Sequence, residues 1–101
     1  MIYVFVFAWD VRQAIANYEK HKISFEEAAT VFGDPNGLDG EDLDHSQHER
    51  RRQRIAQSIA ARILFVVYTI GRTDNEKETI RLISARQASR REREAYSRFT
   101  D

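Results

Sequence analysis

The chain has 101 residues, 42% of them apolar and 32% charged, with no cysteine, one proline and four glycines. That length fits one domain, 1–101, with a modest core, and the composition excludes disorder, a fibre, disulfides, thiol catalysis and Cys-based zinc sites. Lys plus Arg equals Asp plus Glu, yet the charge is divided: +1 over residues 1–22, −8 over 23–49 and +7 over 50–101. Such division hints at a polyanionic partner.

Residues Ile2 to Trp9 (IYVFVFAW) are β-branched or aromatic almost throughout and predict a strand covered on both faces. The apolar run is too short for a membrane span and lacks the basic start of a signal peptide, so a cytoplasmic protein with no membrane contact is expected. Asp10 with Gln13 predicts a helix start, and Ala14, Tyr18 and His21 at i, i+4, i+7 predict one helical face. Ser24 with Glu27 forms a second capping box, opening a helix whose apolar side is Phe25, Ala28, Ala29 and Phe32. The run Gly33-Asp34-Pro35-Asn36-Gly37 ends it. An acidic loop is expected from Gly33 to about His48.

Three strands are predicted next, over Glu49 to Ser58, Arg62 to Ile70 and Thr79 to Arg86. A last helix opens at Ser89 with Glu92 and runs to about Arg98. The order β-α-α-β-β-β-α, with hairpin-length breaks between the late strands, predicts an α+β domain on a mainly antiparallel four-stranded sheet.

Six arginines and a tyrosine crowd the segment Ile80 to Arg98. Guanidinium groups bind phosphate bidentately, while the same charges also serve as a solvated face or as partners for the acidic segment. Arg81 and Arg86 are separated by an odd number, so a regular strand points them to opposite faces; only a bulge or an early strand end unites them. His21, between Lys20 and Lys22, is placed for proton transfer or simply for a helix C-terminus that favours cations. His45 and His48, near Asp42 and Asp44, make a weak metal signal with no complete ligand set. Glycine-rich phosphate loops and nucleophile elbows are missing.

The stretch WDVRQAIANYEKHKISFEEAATVFGDP, the DHS of Asp44 to Ser46, ARILFVVYT and IRLISARQASRRERE together resemble the BrnT family of type II toxins. Ala56, and the pair Ala60-Ala61 in place of turn-formers, depart from the family pattern. The resemblance implies a RelE-like fold and a ribonuclease without a cofactor. It also implies a BrnA-like ribbon-helix-helix antitoxin, joined in a heterotetramer that represses its own operon and touches promoter DNA only through the antitoxin. For RNA cleavage by 2′-oxygen attack on phosphate, Arg62, Arg81 and Arg86 are expected to stabilise charge. His21 is the leading acid or base, with Lys22 and Tyr96 behind it. Lys20, Lys22, Arg54, Arg90 and Arg91 are expected to bind the RNA backbone, and the antitoxin to compete for the arginines. A non-catalytic basic module binding nucleic acid or an acidic protein is the alternative.

Overall fold

The computed structural model describes residues 6–41, 50–72 and 78–100. In chain order it contains β1 (Val6–Ala8), α1 (Val11–His21) and α2 (Phe25–Ala29), the last continued by a 3-10 turn (Thr30–Gly33). The later elements are β2 (Leu38–Glu41), β3 (Arg51–Gln57), β4 (Ile63–Arg72), β5 (Glu78–Gln87) and α3 (Arg90–Thr100). The strands form one sheet in the order β1-β5-β4-β3-β2, parallel at β1–β5 and antiparallel elsewhere. The mixed α+β architecture agrees with the expectation, but among the described residues the sheet has five strands rather than four. The fifth, β2, lies inside the segment expected to be a loop.

That strand has a tertiary cause. Leu38-Asp39-Gly40-Glu41 has neither alternation nor β-branched residues, so nothing local favours extension. It is held from outside: Asp39 lies opposite Arg54 of β3, accepts from its Nη1 at 2.6 Å, and also accepts from the Tyr68 hydroxyl. Arg54, only 9% exposed, donates further to the carbonyls of Val31 (3.0 Å) and Asp34 (2.6 Å) and stacks over Phe32. A Cβ at Gly37 would run into the guanidinium, so glycine there leaves Arg54 its place.

Helices α1 and α2 and the 3-10 turn cover one face of the sheet. Ile23, Phe25, Ala28 and Val31 pack there against Ala56, Leu64, Val66, Tyr68, Ile80, Leu82 and Ala85. All three caps form, and the reciprocal contact is seen at Ser89. Asp10 accepts from the N–H groups of Arg12 and Gln13, and Ser89 and Glu92 close a reciprocal box. Ser24 accepts from Glu27 N–H, but the Glu27 carboxylate turns away to Arg62 and Ser58. The inner face of α1 is also reassigned: Asn17 is buried beside Ala14 and His21, while Tyr18 points outward.

Asn17 is the unusual core residue. Among the described residues β1 pairs with β5 over Thr79 to Arg81 and then gives way to α1, so no described strand borders β5 beyond Arg81. The Asn17 amide takes that place. It donates to Ala85 C=O at 2.9 Å and to Ile23 C=O at 3.0 Å, and accepts from Ala85 N–H at 3.0 Å. A second irregularity lies at the β3–β4 connection, where Ala61 adopts φ 61° so that its N–H bonds Ser58 C=O. This is the pair Ala60-Ala61 that departs from turn-forming sequence, and a side chain in that region costs about 1–2 kcal/mol.

Three carboxylates tie the layers together. Glu27 binds Arg62 and Ser58. Asp34 accepts from the Tyr96 hydroxyl (2.6 Å) and from the N–H groups of Gln57 and Asn36. Glu92 accepts from Arg86 and Ser89. The Arg62 hydrogen bond holds Glu27 below the usual carboxylate range. At Asp34 burial pushes upward, but the Tyr96 hydroxyl, the two N–H groups and Arg54 outweigh it. At Glu92 burial is likewise outweighed by Arg86 and Ser89.

Replacing Asn17 with Ala leaves three buried backbone groups unpaired and is expected to cost about 2–3 kcal/mol in urea unfolding. An unchanged midpoint would remove the amide from this role. Ala61→Gly relieves the left-handed strain and should raise stability by about 0.5–1 kcal/mol, after the added freedom of the unfolded chain is subtracted. For the three carboxylates the folded values lie below the unfolded ones. Their stabilisation is therefore complete above about pH 4–5 and is lost as pH falls through the folded values. The urea midpoint should hold down to about pH 5 and drop below it, with a shallower drop in Glu27→Gln.

Candidate active site at the bulge of β5

The pairing of β4 with β5 slips between Val67 and Tyr68: Val67 faces Ser84, whereas Tyr68 faces Leu82. Ile83 is the extra residue, a bulge that reverses the inside–outside alternation of the strand beyond it. Before the bulge Ile80 and Leu82 point to the core; after it Ala85 does. Arg81, Ser84 and Arg86 consequently share the opposite face, aligned with Thr69, Val67 and Phe65 of β4. The same face receives Arg51 and Gln53 of β3, which pair with Thr69 and Val67. Arg81 and Arg86 are separated by four residues of β4, or about 13 Å along the strand, with Ser84 midway.

Arg81 is exposed. Arg86 is held: its guanidinium lies 4.2 Å from the Phe65 ring centroid, and Glu92 accepts from Nη1 (2.7 Å) and Nη2 (2.9 Å). Nη1 also donates to Gln87 C=O at 3.2 Å. A guanidinium has five N–H groups, so these contacts among the described residues leave one donor on Nε and one on Nη2.

Where α1 meets the unpaired edge of β5, the bulge opens a shallow pocket of about 260 Å³. Its wall carries Gln13, Asn17, Lys20 and His21 from α1 and Ile83 and Ser84 from β5. His21 is partly buried in the last turn of the helix, which the left-handed Lys22 (φ 60°) terminates by donating its N–H to Tyr18 C=O. A histidine, a lysine and a serine thus line one pocket, beside a sheet face that bears two arginines. That is the equipment for proton transfer next to a phosphate.

Other residues expected at the site are elsewhere. Arg54 is buried on the core face with its donors directed inward. Arg62 precedes β4 and binds Glu27 through Nε and Nη2. Tyr96, expected as a reserve acid or base, is buried; its hydrogen bond to Asp34 pushes it up to about 12, so the phenol keeps its proton. The Lys22 ammonium lies 5.8 Å from the Tyr18 ring centroid. Arg90 and Arg91 are exposed on α3, Arg90 paired with Glu94 at 3.2 Å. The metal reading of His45 and His48 with Asp42 and Asp44 falls outside the described residues. Among the described residues no group of three or more His, Asp or Glu gathers as a metal site, and no helix is long and apolar enough to cross a membrane. Sequence reasoning missed Ser84, Arg51 and Gln53, whose orientation is set by strand register, and the Arg86 contact of Glu92, which local sequence shows only as a cap.

Residues 9–92, from the residue before the Asp10 cap to Glu92, match the family described as ribonuclease toxin, BrnT, of type II toxin–antitoxin system. No curated protein matches the chain. Among solved structures it is similar to the 1.1 Å crystal structure of the Brucella abortus ribonuclease toxin BrnT, with a TM-score of 0.59 at 19% identity. The alignment covers 86% of this chain and 99% of that one, a likeness of fold. The chain belongs to the BrnT family of ribonuclease toxins of type II toxin–antitoxin systems.

Proposed function

We propose that this chain is an endoribonuclease that cleaves RNA without a metal ion, by attack of a ribose 2′-oxygen on the adjacent phosphate. The new P–O2′ bond forms as the P–O5′ bond breaks, leaving a cyclic phosphate and a free 5′-hydroxyl. Two protons move: one leaves the 2′-hydroxyl and one reaches the departing 5′-oxygen. His21 handles one of them and solvent water the other. The scissile phosphate lies over Ser84, with Arg81 and Arg86 reaching it from either side through their guanidinium groups. Arginine keeps its proton, so it supplies charge stabilisation rather than base catalysis. Lys20 and Lys22 at the end of α1, and Arg90 and Arg91 on α3, hold flanking phosphates.

The observation that carries this reading is the bulge at Ile83, through which Arg81 and Arg86 share one face beside the His21 pocket. Membership of a ribonuclease toxin family supports it from another direction. In the same reading a ribbon-helix-helix antitoxin neutralises the chain, forms a heterotetramer with it and represses the operon through promoter DNA.

Purified protein is expected to cleave ribosome-free RNA in excess EDTA. Arg81→Ala and Arg86→Ala should each lower the rate by about 100-fold or more, since one lost charge-stabilising donor costs that much. Circular dichroism checks that the variants remain folded. Full activity in both variants would remove the arginines from the reaction. Salt-sensitive RNA binding without any cleavage would instead favour a basic binding module.

A further inference from the structure

Helix α1 has a second functional side. Its Asn17–Lys20–His21 side faces β5, but Val11, Ile15 and Tyr18, at i, i+4 and i+7, remain 67%, 55% and 52% exposed. These three form one wall of an open groove of about 630 Å³, and the start of α2 forms the other. Trp9 and Phe25 line it as well, packed edge to face with centroids 6.1 Å apart. Two exposed carboxylates, Glu19 and Glu26, flank it from the two helices. The Lys22 ammonium sits over the Tyr18 ring at one end.

We infer that this groove is the docking site for the antitoxin, which inserts a short amphipathic helix with basic flanks. The inference rests on the toxin reading given above. An apolar stripe of helical period, walled by a second helix, suits a partner helix whose own apolar residues recur at i, i+3 or i+4, and i+7. Glu19 and Glu26 select Lys or Arg beside those residues. The same carboxylates repel RNA phosphate, and the apolar wall offers it nothing to bind. A second copy packing its own α1 in parallel would bring Glu19 against its equivalent, an unfavourable pairing of like charges. A helix is about 10–12 Å across with its side chains. A partner anchored in the groove therefore has only the width of α1 to cross before it reaches His21, and need not itself lie on the arginines.

The test is calorimetric titration with full-length antitoxin, purified from a complex co-expressed with this chain, at low and high salt. Ile15→Arg replaces an exposed apolar side chain at a helix position that tolerates arginine. It is expected to weaken binding by about 100-fold, with RNA cleavage unchanged. Glu19→Gln with Glu26→Gln should weaken binding several-fold at low salt and less at high salt, where rim charges are screened. Wild-type affinity in Ile15→Arg, with affinity lost in Arg81→Ala, would overturn the inference and move the antitoxin to the arginine face. A free wild-type dimer that Ile15→Arg dissolves, without any change in antitoxin affinity, would overturn it in favour of a second copy. Antitoxin binding that fails in Ile15→Arg, joined to a wild type that does not cleave RNA, would leave the groove standing and remove the ribonuclease reading.

Discussion

A side-chain amide stands where the sheet has run out of strands. β1 gives way to α1 after Ala8 pairs with Arg81, and among the described residues no strand takes up the edge of β5 at Ala85. Asn17 supplies both a donor and an acceptor there and spends its second N–H on Ile23, just after the helix. A buried backbone pair left open costs more than a hydrogen bond gains, so this contact fixes α1 against one point of β5. Everything on α1 is then positioned: His21 and Lys20 toward the bulge, Val11, Ile15 and Tyr18 toward the outer groove.

The bulge and the amide work together. If Ile83 paired in register instead of bulging, Ala85 would turn away from the core and Arg86 toward it, placing a cation among Leu64, Val66 and Leu82. Burying an unpaired charge is far costlier than one irregular backbone step, so the core itself enforces the slip. The same slip brings Arg81, Ser84 and Arg86 onto one surface. A structural requirement and the proposed site thus have the same origin.

The basic half of the chain divides its labour. Arg54 and Arg62 spend their donors on Asp39, Glu27 and backbone carbonyls, closing the layers around the core. Arg86 is intermediate, clamped by Glu92 and Phe65 yet keeping donors for a ligand. Arg81, Arg90 and Arg91 face solvent. Part of the acidic segment has a structural use in this division, because Asp34 and Asp39 are the anchors for Tyr96, Tyr68 and Arg54. The outer groove of α1 carries the opposite character, apolar between carboxylates, and suits a protein rather than RNA.

Capping signals and short-range periodicity determined the helices and three long strands, because those depend on neighbours within a turn or a pleat. Asp10, Ser24 and Ser89 each cap a helix as their side chains dictate. The family was also legible, in the order and spacing of its motifs. Tertiary structure alone decided the rest. β2 exists because Arg54 and Tyr68 reach Asp39, partners 15 and 29 residues away. The shared face of Arg81 and Arg86 exists because of a register slip that no count along the sequence reveals. Arg54 and Arg62 read as phosphate ligands by type and charge, but their partners lie on other elements, and only packing shows that Asp39, Glu27 and backbone carbonyls already engage them. A residue's chemistry is local, whereas the direction it faces is set by the whole sheet.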